Sequence, residues 1–485
     1  MQVRVSLTIL LVLCFGCVSA VTDEVTSPSG TNLKIGNLVS PLLEEDSFAG
    51  VLLAADETGV IFHGTFGQID RELNIDARPE HAFVIGSMTK AFTAVLILQL
   101  VEEGRIELGS PAVKYWPEFL DPSGGRITID QLLRHQSGLQ HWGAIDDFLN
   151  SQAAVEWKAD ELIKLYADQG LRFEPGAETA YSSIGYLVLG VVAEQVTGRS
   201  YAELLASRIF EPLGMDSSRL DDGVSLIPGR IDAYRFDFVS ARYHRAESRH
   251  PSTTWSTGGI VATANDLARW AAALHGRHPN VVSDTIRQRV FDSQWGGQAY
   301  GWSVDVTENG TVASHGGLVT GYRSEIRLNL DTGTSVVALA NLRDARSRDL
   351  TNAVARVLQG EKDVTLGRSI LKETLKVSAS QGATAANQRF DEVFDDPESS
   401  FETDEIDFLV AGIELRSDGA CDRAAPIFEH WATRFPDHQY ITIALANAAD
   451  CRLLLGEREA AAELIARLET VNPEHPMLTE LRARL

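Results

Sequence analysis

Cysteine is scarce in this chain, with four in 485 residues. That excludes a small scaffold held together by disulfides. Long apolar runs are missing as well. After the N-terminus no stretch holds eighteen uninterrupted apolar residues, which excludes a polytopic membrane protein. The longest candidate, Phe92 to Val101, is flanked by Lys90 and Glu102 and reads as a core helix. Positive charge is in deficit, 43 Lys and Arg against 67 Asp and Glu, for a net charge of −24. Such a chain is a poor partner for nucleic acid or anionic lipid, which require clustered positive charge. No HExxH, Walker-type loop or dinucleotide fingerprint occurs, and His275 and His278 have the wrong spacing for a helical metal pair. The sequence therefore implies no metal and no organic cofactor.

What is present is an ordinary globular composition, 44% apolar and 23% charged, at a length that suggests two to three domains. The N-terminus has Arg4, then apolar Val5 to Phe15, then small residues at Val18-Ser19-Ala20. This pattern reads as a signal peptide over residues 1–20 and predicts export to the periplasm or the outside of the cell. No transmembrane segment is expected after its removal. The alternative is a lipid anchor at Cys17, which follows Gly16. Export leaves Cys421 and Cys451 in an oxidising compartment, where a pair tends to bridge.

The first half carries a helical pattern at Thr31 to Leu43. Strand patterns follow at Ala49 to Ala54 and Val60 to Phe66, split by the turn signal Asp56-Glu57-Thr58-Gly59. A helix of about four turns is expected from Ser87 to Gly104. Residues 110–230 are helix-rich. Strand signals return at Ala299 to Val306, Gly321 to Leu330 and Thr334 to Ala340, before a helix through Leu350 to Leu358. Strands at both ends of a helical insert predict one sheet assembled from the two ends, with a helical lobe between. Past residue 363 the pattern changes. Gly382, Gly419 and Gly456 recur every 37 residues, Ala424 and Ala461 each follow their glycine by five, and Pro436 and Pro473 by seventeen. This is a repeat of helical hairpins and resembles tetratricopeptide repeats. The expected organisation is a signal peptide at 1–20, an α/β domain at 21–362 and an all-α repeat region at 363–485. Cys421 and Cys451 lie equally far before and after Pro436, so a chain folding back there brings them level. A Cys421–Cys451 disulfide closing that hairpin is the expectation.

The chemistry concentrates at Phe83-Val84-Ile85-Gly86-Ser87-Met88-Thr89-Lys90. Ser-x-x-Lys at a helix start places a hydroxyl and an amine one turn apart on one face. A partly desolvated lysine near the positive helix end loses its proton more easily and can draw one from the hydroxyl. The backbone N–H of Ser87 can serve an oxyanion hole. By itself the pattern is short enough to arise by chance, and a capping serine beside a surface lysine is its bland reading.

The stretches around it settle the choice. AFTAVLILQLVEEGRIELGSPAVKYWPEF, ITIDQLLRHQSGL, FEPGAETAYSSIGYLVLGVVAEQVTG, IFEPLGM, STGGIVATANDLARW and SHGGLVTGYRS follow in order. Together they resemble the serine β-lactamase and penicillin-binding-protein-like hydrolases, the group of class C β-lactamases, D-Ala-D-Ala peptidases, D-aminopeptidases and esterases. The resemblance spans residues 31–360. It implies a two-lobed α/β domain, an antiparallel sheet flanked by helices plus an all-helical lobe. It also makes Ser87 the nucleophile and Tyr181 the acid/base partner of Lys90. Where the family carries Tyr-x-Asn, this chain has Tyr181-Ser182-Ser183, and a hydroxyl has shorter reach and fewer donors than an amide. Where it carries Lys-Thr-Gly, this chain has His315-Gly316-Gly317. His315 can donate a hydrogen bond or carry charge near neutral pH, though not permanently. Gly316 and Gly317 permit close approach of the substrate. By resemblance Leu318 supplies the second oxyanion N–H. His135, in LLRHQSGL, reads as part of a structural loop.

The sequence thus implies an exported serine hydrolase working through an acyl-enzyme on a small-molecule or peptide substrate, of esterase or D-amino-acid peptidase type. One alternative is a true β-lactamase or D-Ala-D-Ala carboxypeptidase. Another is a binding protein whose repeats dock a protein or peptide partner beside a vestigial hydrolase domain.

Overall fold

The computed structural model describes residues 30–145, 148–293, 298–402 and 405–485. The expected signal peptide and the Cys17 anchor lie outside the described residues. In chain order, helix α1 (Gly30–Glu44) leads into strands β1 (Gly50–Asp56) and β2 (Gly59–Phe66). A 3₁₀ turn (Gly86–Met88) opens helix α2 (Thr89–Glu102), and helix α3 spans Ser183–Thr197. A hairpin of β3 (Tyr234–Asp237) and β4 (Arg242–Arg245) precedes the short helix α4 (Trp255–Gly258) and helix α5 (Ala264–Leu274). Strands β5 (Ser303–Thr307), β6 (Gly310–Val319), β7 (Tyr322–Asn329) and β8 (Thr334–Ala340) then lead to helix α6 (Ser347–Leu358).

The six-stranded sheet has the order β5–β6–β7–β8–β1–β2 and is antiparallel throughout. The two ends of the domain join where Gly50 pairs with Ala340 and Ala55 with Ser335. Alternation along β8 explains the layering. Val337 and Leu339 face the large core shared with α2 and α3, while Val336, Ala338 and Ala340 face α1 and α6. Helix α2 is buried on nearly all sides, with Phe92 stacked on Trp270 of α5 at 4.2 Å. Among the described residues no helix is long and apolar enough to cross a membrane.

Strand β6 was not legible from periodicity, because its His315-Gly316-Gly317 centre has low strand propensity. Pairing with β7 along its length, Val312↔Asn329 to Val319↔Tyr322, holds it extended. On its other side β5 pairs only with Gly310 to Ser314. From His315 to Val319 no strand among the described residues pairs with that edge. The first strand of this group is shorter than expected, starting at Ser303 rather than Ala299.

The C-terminal region is helical apart from a short parallel strand pair, Arg368–Ser369 with Phe401–Glu402. Helices α7 (Ile370–Gln381) and α8 (Ala383–Phe394), α9 (Glu405–Ser417) and α10 (Cys421–Arg434), and α11 (Ile441–Leu454) and α12 (Arg458–Val471) form three hairpins, followed by α13 (Leu478–Arg484). Gly382, Gly419 and Gly456 sit between the paired helices at φ of 89°, 81° and 78°, a left-handed conformation that side chains disfavour. This region docks on the β3–β4 hairpin. Phe236 belongs to its core, the Arg423 guanidinium donates to Val239 O at 2.7 Å and Phe238 O at 3.0 Å, and buried Lys372 donates to Tyr243 Oη at 2.6 Å.

One expectation here is corrected. The chain does fold back between α10 and α11, and Cys421 meets Cys451, but both are buried free thiols rather than a disulfide. Burial first, and then the hydrogen bond with Cys421, push the Cys451 thiol well above its usual range. The thiol is held protonated, the form that does not react.

Candidate active site

Ser87 lies inside the 3₁₀ turn that opens α2. The N-cap of that turn is Ile85 and the N-cap of α2 is Met88, so Ser87 is not a capping serine. Gly86 before it adopts φ of 55°, and a Cβ there would come within 2.9 Å of Leu318 N. Only glycine lets the Ser87 turn and the open edge of β6 approach so closely. Gly317 is fixed for a similar reason, since a Cβ would lie 2.0 Å from Ile85 O. Ser324 Oγ donates to the same Ile85 carbonyl at 2.8 Å, tying β7 to the turn.

Lys90, one helical turn on, is 0% exposed. Its Nζ donates to Ser87 Oγ at 3.1 Å and to Thr257 O, in α4, at 2.9 Å. Among the described residues no carboxylate pairs with it. Burial pushes its pKa below the ordinary lysine value, with the Tyr181 hydroxyl opposing. The Tyr181 ring stands 5.0 Å from Nζ and is 37% exposed, the open side facing the cavity. A cavity of about 300 Å³ is lined by Ser87, Tyr181, His315, Gly316, Gly317 and Leu318. Six of the seven residues singled out from sequence for catalysis, oxyanion binding or substrate contact at this site, apart from the wholly buried Lys90, therefore face one space. The seventh, Ser183, is 2% exposed in the first turn of α3 and does not line it.

His315 behaves differently from the sequence expectation. Its Nδ1 donates to Gly316 O at 2.7 Å, since a carbonyl can only accept, which leaves Nε2 as an acceptor. Burial, and then the charge of Lys90, push its pKa down to about 4. It is neutral at pH 7 and is not a cationic replacement for the motif lysine.

Four contributors were missed from sequence. His135 is no loop residue of purely structural use. It holds φ of 58°, lines the cavity and lies against the Tyr181 ring at 4.4 Å. Its Nδ1 accepts from Ser182 N at 3.2 Å. His141 meets the same tyrosine edge-on at 5.4 Å, and burial pushes its pKa down to about 4. Arg323 of β7 and Arg348 of α6 also line the cavity, above Glu325, whose carboxyl is 2% exposed and pushed up to about 7 by burial. His135 could have been found, because it stands inside a stretch carrying the family resemblance. Arg323 and Arg348 could not, since their meeting depends on the register of β7 and the seat of α6.

The sequence model of the family described as Beta-lactamase matches residues 35–360. The chain belongs to the beta-lactamase family. Penicillin-binding protein 4* of Bacillus subtilis (strain 168) is 26% identical over 326 residues, covering 63% of this chain and 70% of the relative. The octameric penicillin-binding protein homologue from Pyrococcus abyssi superposes with a TM-score of 0.62 at 23% identity, covering 72% of this chain and 81% of the other. D-amino acid amidase from Ochrobactrum anthropi SV3, solved with D-phenylalanine, gives 0.60 at 21%, covering 68% and 99%. These similarities establish a beta-lactamase-like serine hydrolase fold, and the described C-terminal helices lie beyond the family match. Within this beta-lactamase family member the Tyr181-Ser182-Ser183 segment is braced by two imidazoles, with the Ser182 and Ser183 N–H groups donating to His135 and His141.

Proposed function

We propose that the protein is an exported serine hydrolase that forms an acyl-enzyme on an ester, amide or peptide substrate, of esterase or D-amino-acid peptidase type. The observation that carries this reading is the buried Lys90 amine, 3.1 Å from Ser87 Oγ with no carboxylate partner among the described residues. Such an amine is more often unprotonated and so free to accept the proton of the hydroxyl it touches. In the proposed step Ser87 Oγ bonds to the substrate carbonyl carbon while its proton passes to Lys90. The carbonyl oxygen takes the electron pair, held by the N–H groups of Ser87 and Leu318. Collapse breaks the bond to the leaving group, which receives the proton through Tyr181. Water then attacks the acyl carbon and frees Ser87.

The departures at Ser183 and His315 favour esters and D-amino-acid amides over β-lactams. Ser183 is withdrawn from the cavity, and neutral His315 Nε2 accepts rather than attracts a carboxylate. The D-amino acid amidase shares the fold and acts on amides by its name. Export rests on the N-terminal sequence pattern alone. The test is turnover of p-nitrophenyl butyrate and of a chromogenic cephalosporin by wild type and Ser87→Ala. Ester turnover lost in the variant, with little cephalosporin cleavage, is expected. Equal ester turnover by the variant refutes the assignment, and efficient cephalosporin cleavage moves the protein to the β-lactamases.

A further inference from the structure

The open edge of β6 does not stop at the catalytic cavity. That cavity is lined as far as Leu318, and a second one, of about 220 Å³, begins at the next residue, Val319, and continues past Thr320. Its opposite wall is the segment that runs from β4 to α4, Arg245 to Thr254. Gly258 of α4 packs between the two, since a Cβ there would touch both Val319 and Gly86. At Thr320, φ of 49°, the chain turns back into β7. An extended chain lying on the open edge with its carbonyl at Leu318 N therefore reaches Thr320 after two residues, about 7 Å.

The charges in this second cavity are paired with one exception. Arg230 binds Asp221 at 2.9 Å, Arg245 binds Asp232 at 3.2 Å, and Arg235 meets Glu247 at 3.5 Å. Arg249 makes no ion pair or side-chain hydrogen bond with any described residue, and its Nε is buried without a partner. The cation acting on it is Arg343, which donates to Thr320 O at 3.0 Å. Burial and then Arg343 depress the Arg249 pKa, and Glu247, already engaged with Arg235, opposes them only in part. A guanidinium in this state lacks the planar anion that its fork of donors fits.

We propose that this cavity is the acyl-side subsite of the enzyme and that Arg249 reads a carboxylate at the far end of the acyl group. The substrate class is then an ester or amide of a dicarboxylic acid, or of an acidic residue, with its free carboxylate some four to six atoms from the scissile carbonyl. The proposal rests on Ser87 being the nucleophile. It adds a determinant distinct from Arg323 and Arg348, which line the catalytic cavity itself.

The test uses the full mature chain and two substrates, mono-p-nitrophenyl adipate and its methyl ester, which has the same chain between its carbonyls and no charge. Wild type should prefer the half-acid in kcat/KM by about tenfold or more, mainly through KM. In Arg249→Gln that ratio should fall to about one, with Arg249→Lys between the two as a check on folding. Equal use of the two esters by wild type overturns the proposal. So does a preference that survives in Arg249→Gln, because the carboxylate is then read elsewhere. If neither ester is turned over, the hydrolase reading has failed, and calorimetric titration with adipate tests the subsite alone. Binding lost in Arg249→Gln supports it, and no binding or equal binding overturns it.

Discussion

The backbone N–H of Ser183 donates to Nδ1 of His141 at 3.2 Å, which leaves the proton of that imidazole on Nε2. The same ring meets Tyr181 edge-on, and His135 lies against the same tyrosine at 4.4 Å. Tyr181 is thus aimed by two neutral imidazoles, each anchored by a backbone N–H of the segment that carries it. His141→Phe retains a ring but removes the acceptor. We expect kcat for p-nitrophenyl butyrate to fall by roughly tenfold with KM little changed, and His141→Gln, which restores an acceptor, to recover part of the loss. A change in KM alone would mean that His141 touches substrate instead.

Lys90 predicts the pH profile. In the proposed step the amine must be neutral to accept the Ser87 proton, and burial lowers its pKa from the ordinary value of 10.5. Activity should therefore rise with pH along one limb whose apparent pKa lies below 10.5. Lys90→Met should remove that limb and lower kcat by roughly 10²–10⁴-fold. A limb that survives in the variant assigns the titration to another group.

Much of this architecture is legible in the sequence. The sheet closes where β1 meets β8, as strand patterns at both ends required, and Ser87, Lys90 and Tyr181 come together as the resemblance implies. The glycine repeat marks the hairpin turns because each turn needs positive φ. What escaped notice depends on through-space context. The neutrality of His315 follows from burial beside Lys90, and a histidine's pattern in sequence carries neither fact. The role of His135 depends on a loop folding back on Tyr181. The two cysteines were correctly placed side by side, yet adjacency of thiols does not itself form a bond.

Glu325 makes a prediction about stability. Its pKa is raised to about 7 by burial, against an ordinary 4.5, and Oε2 has no hydrogen-bond partner. The folded state therefore prefers the protonated acid. That preference is fully present below pH 4.5 and is lost as pH rises through about 7, where ionisation must occur in a buried site. Glu325→Gln mimics the protonated form. At pH 8 it should raise stability, on the order of 1–3 kcal/mol, and at pH 5 it should change little, as read by calorimetric melting. Gly316 lies directly over this carboxyl, 2.5 Å from a would-be Cβ, so Gly316→Ala should destabilise at both pH values.

The contact between Arg423 and the β3–β4 hairpin links the C-terminal helices to the catalytic domain. Its guanidinium satisfies two carbonyls, Val239 O and Phe238 O, across the junction. Arg423→Ala leaves both without that partner and should cost on the order of 1–3 kcal/mol at the interface. The core of the C-terminal helices is largely their own, with Phe236 entering from the hairpin. Loss of the clamp should therefore separate the melting of the two regions, giving a lower first transition in a calorimetric scan while the second stays in place. The hairpin runs on into Arg245 to Thr254, the wall of the Arg249 cavity. A loosened hairpin should consequently raise KM for mono-p-nitrophenyl adipate more than for the butyrate ester. Equal changes for both esters, with a single unshifted transition, would show that the helices neither stabilise the hairpin nor shape that cavity.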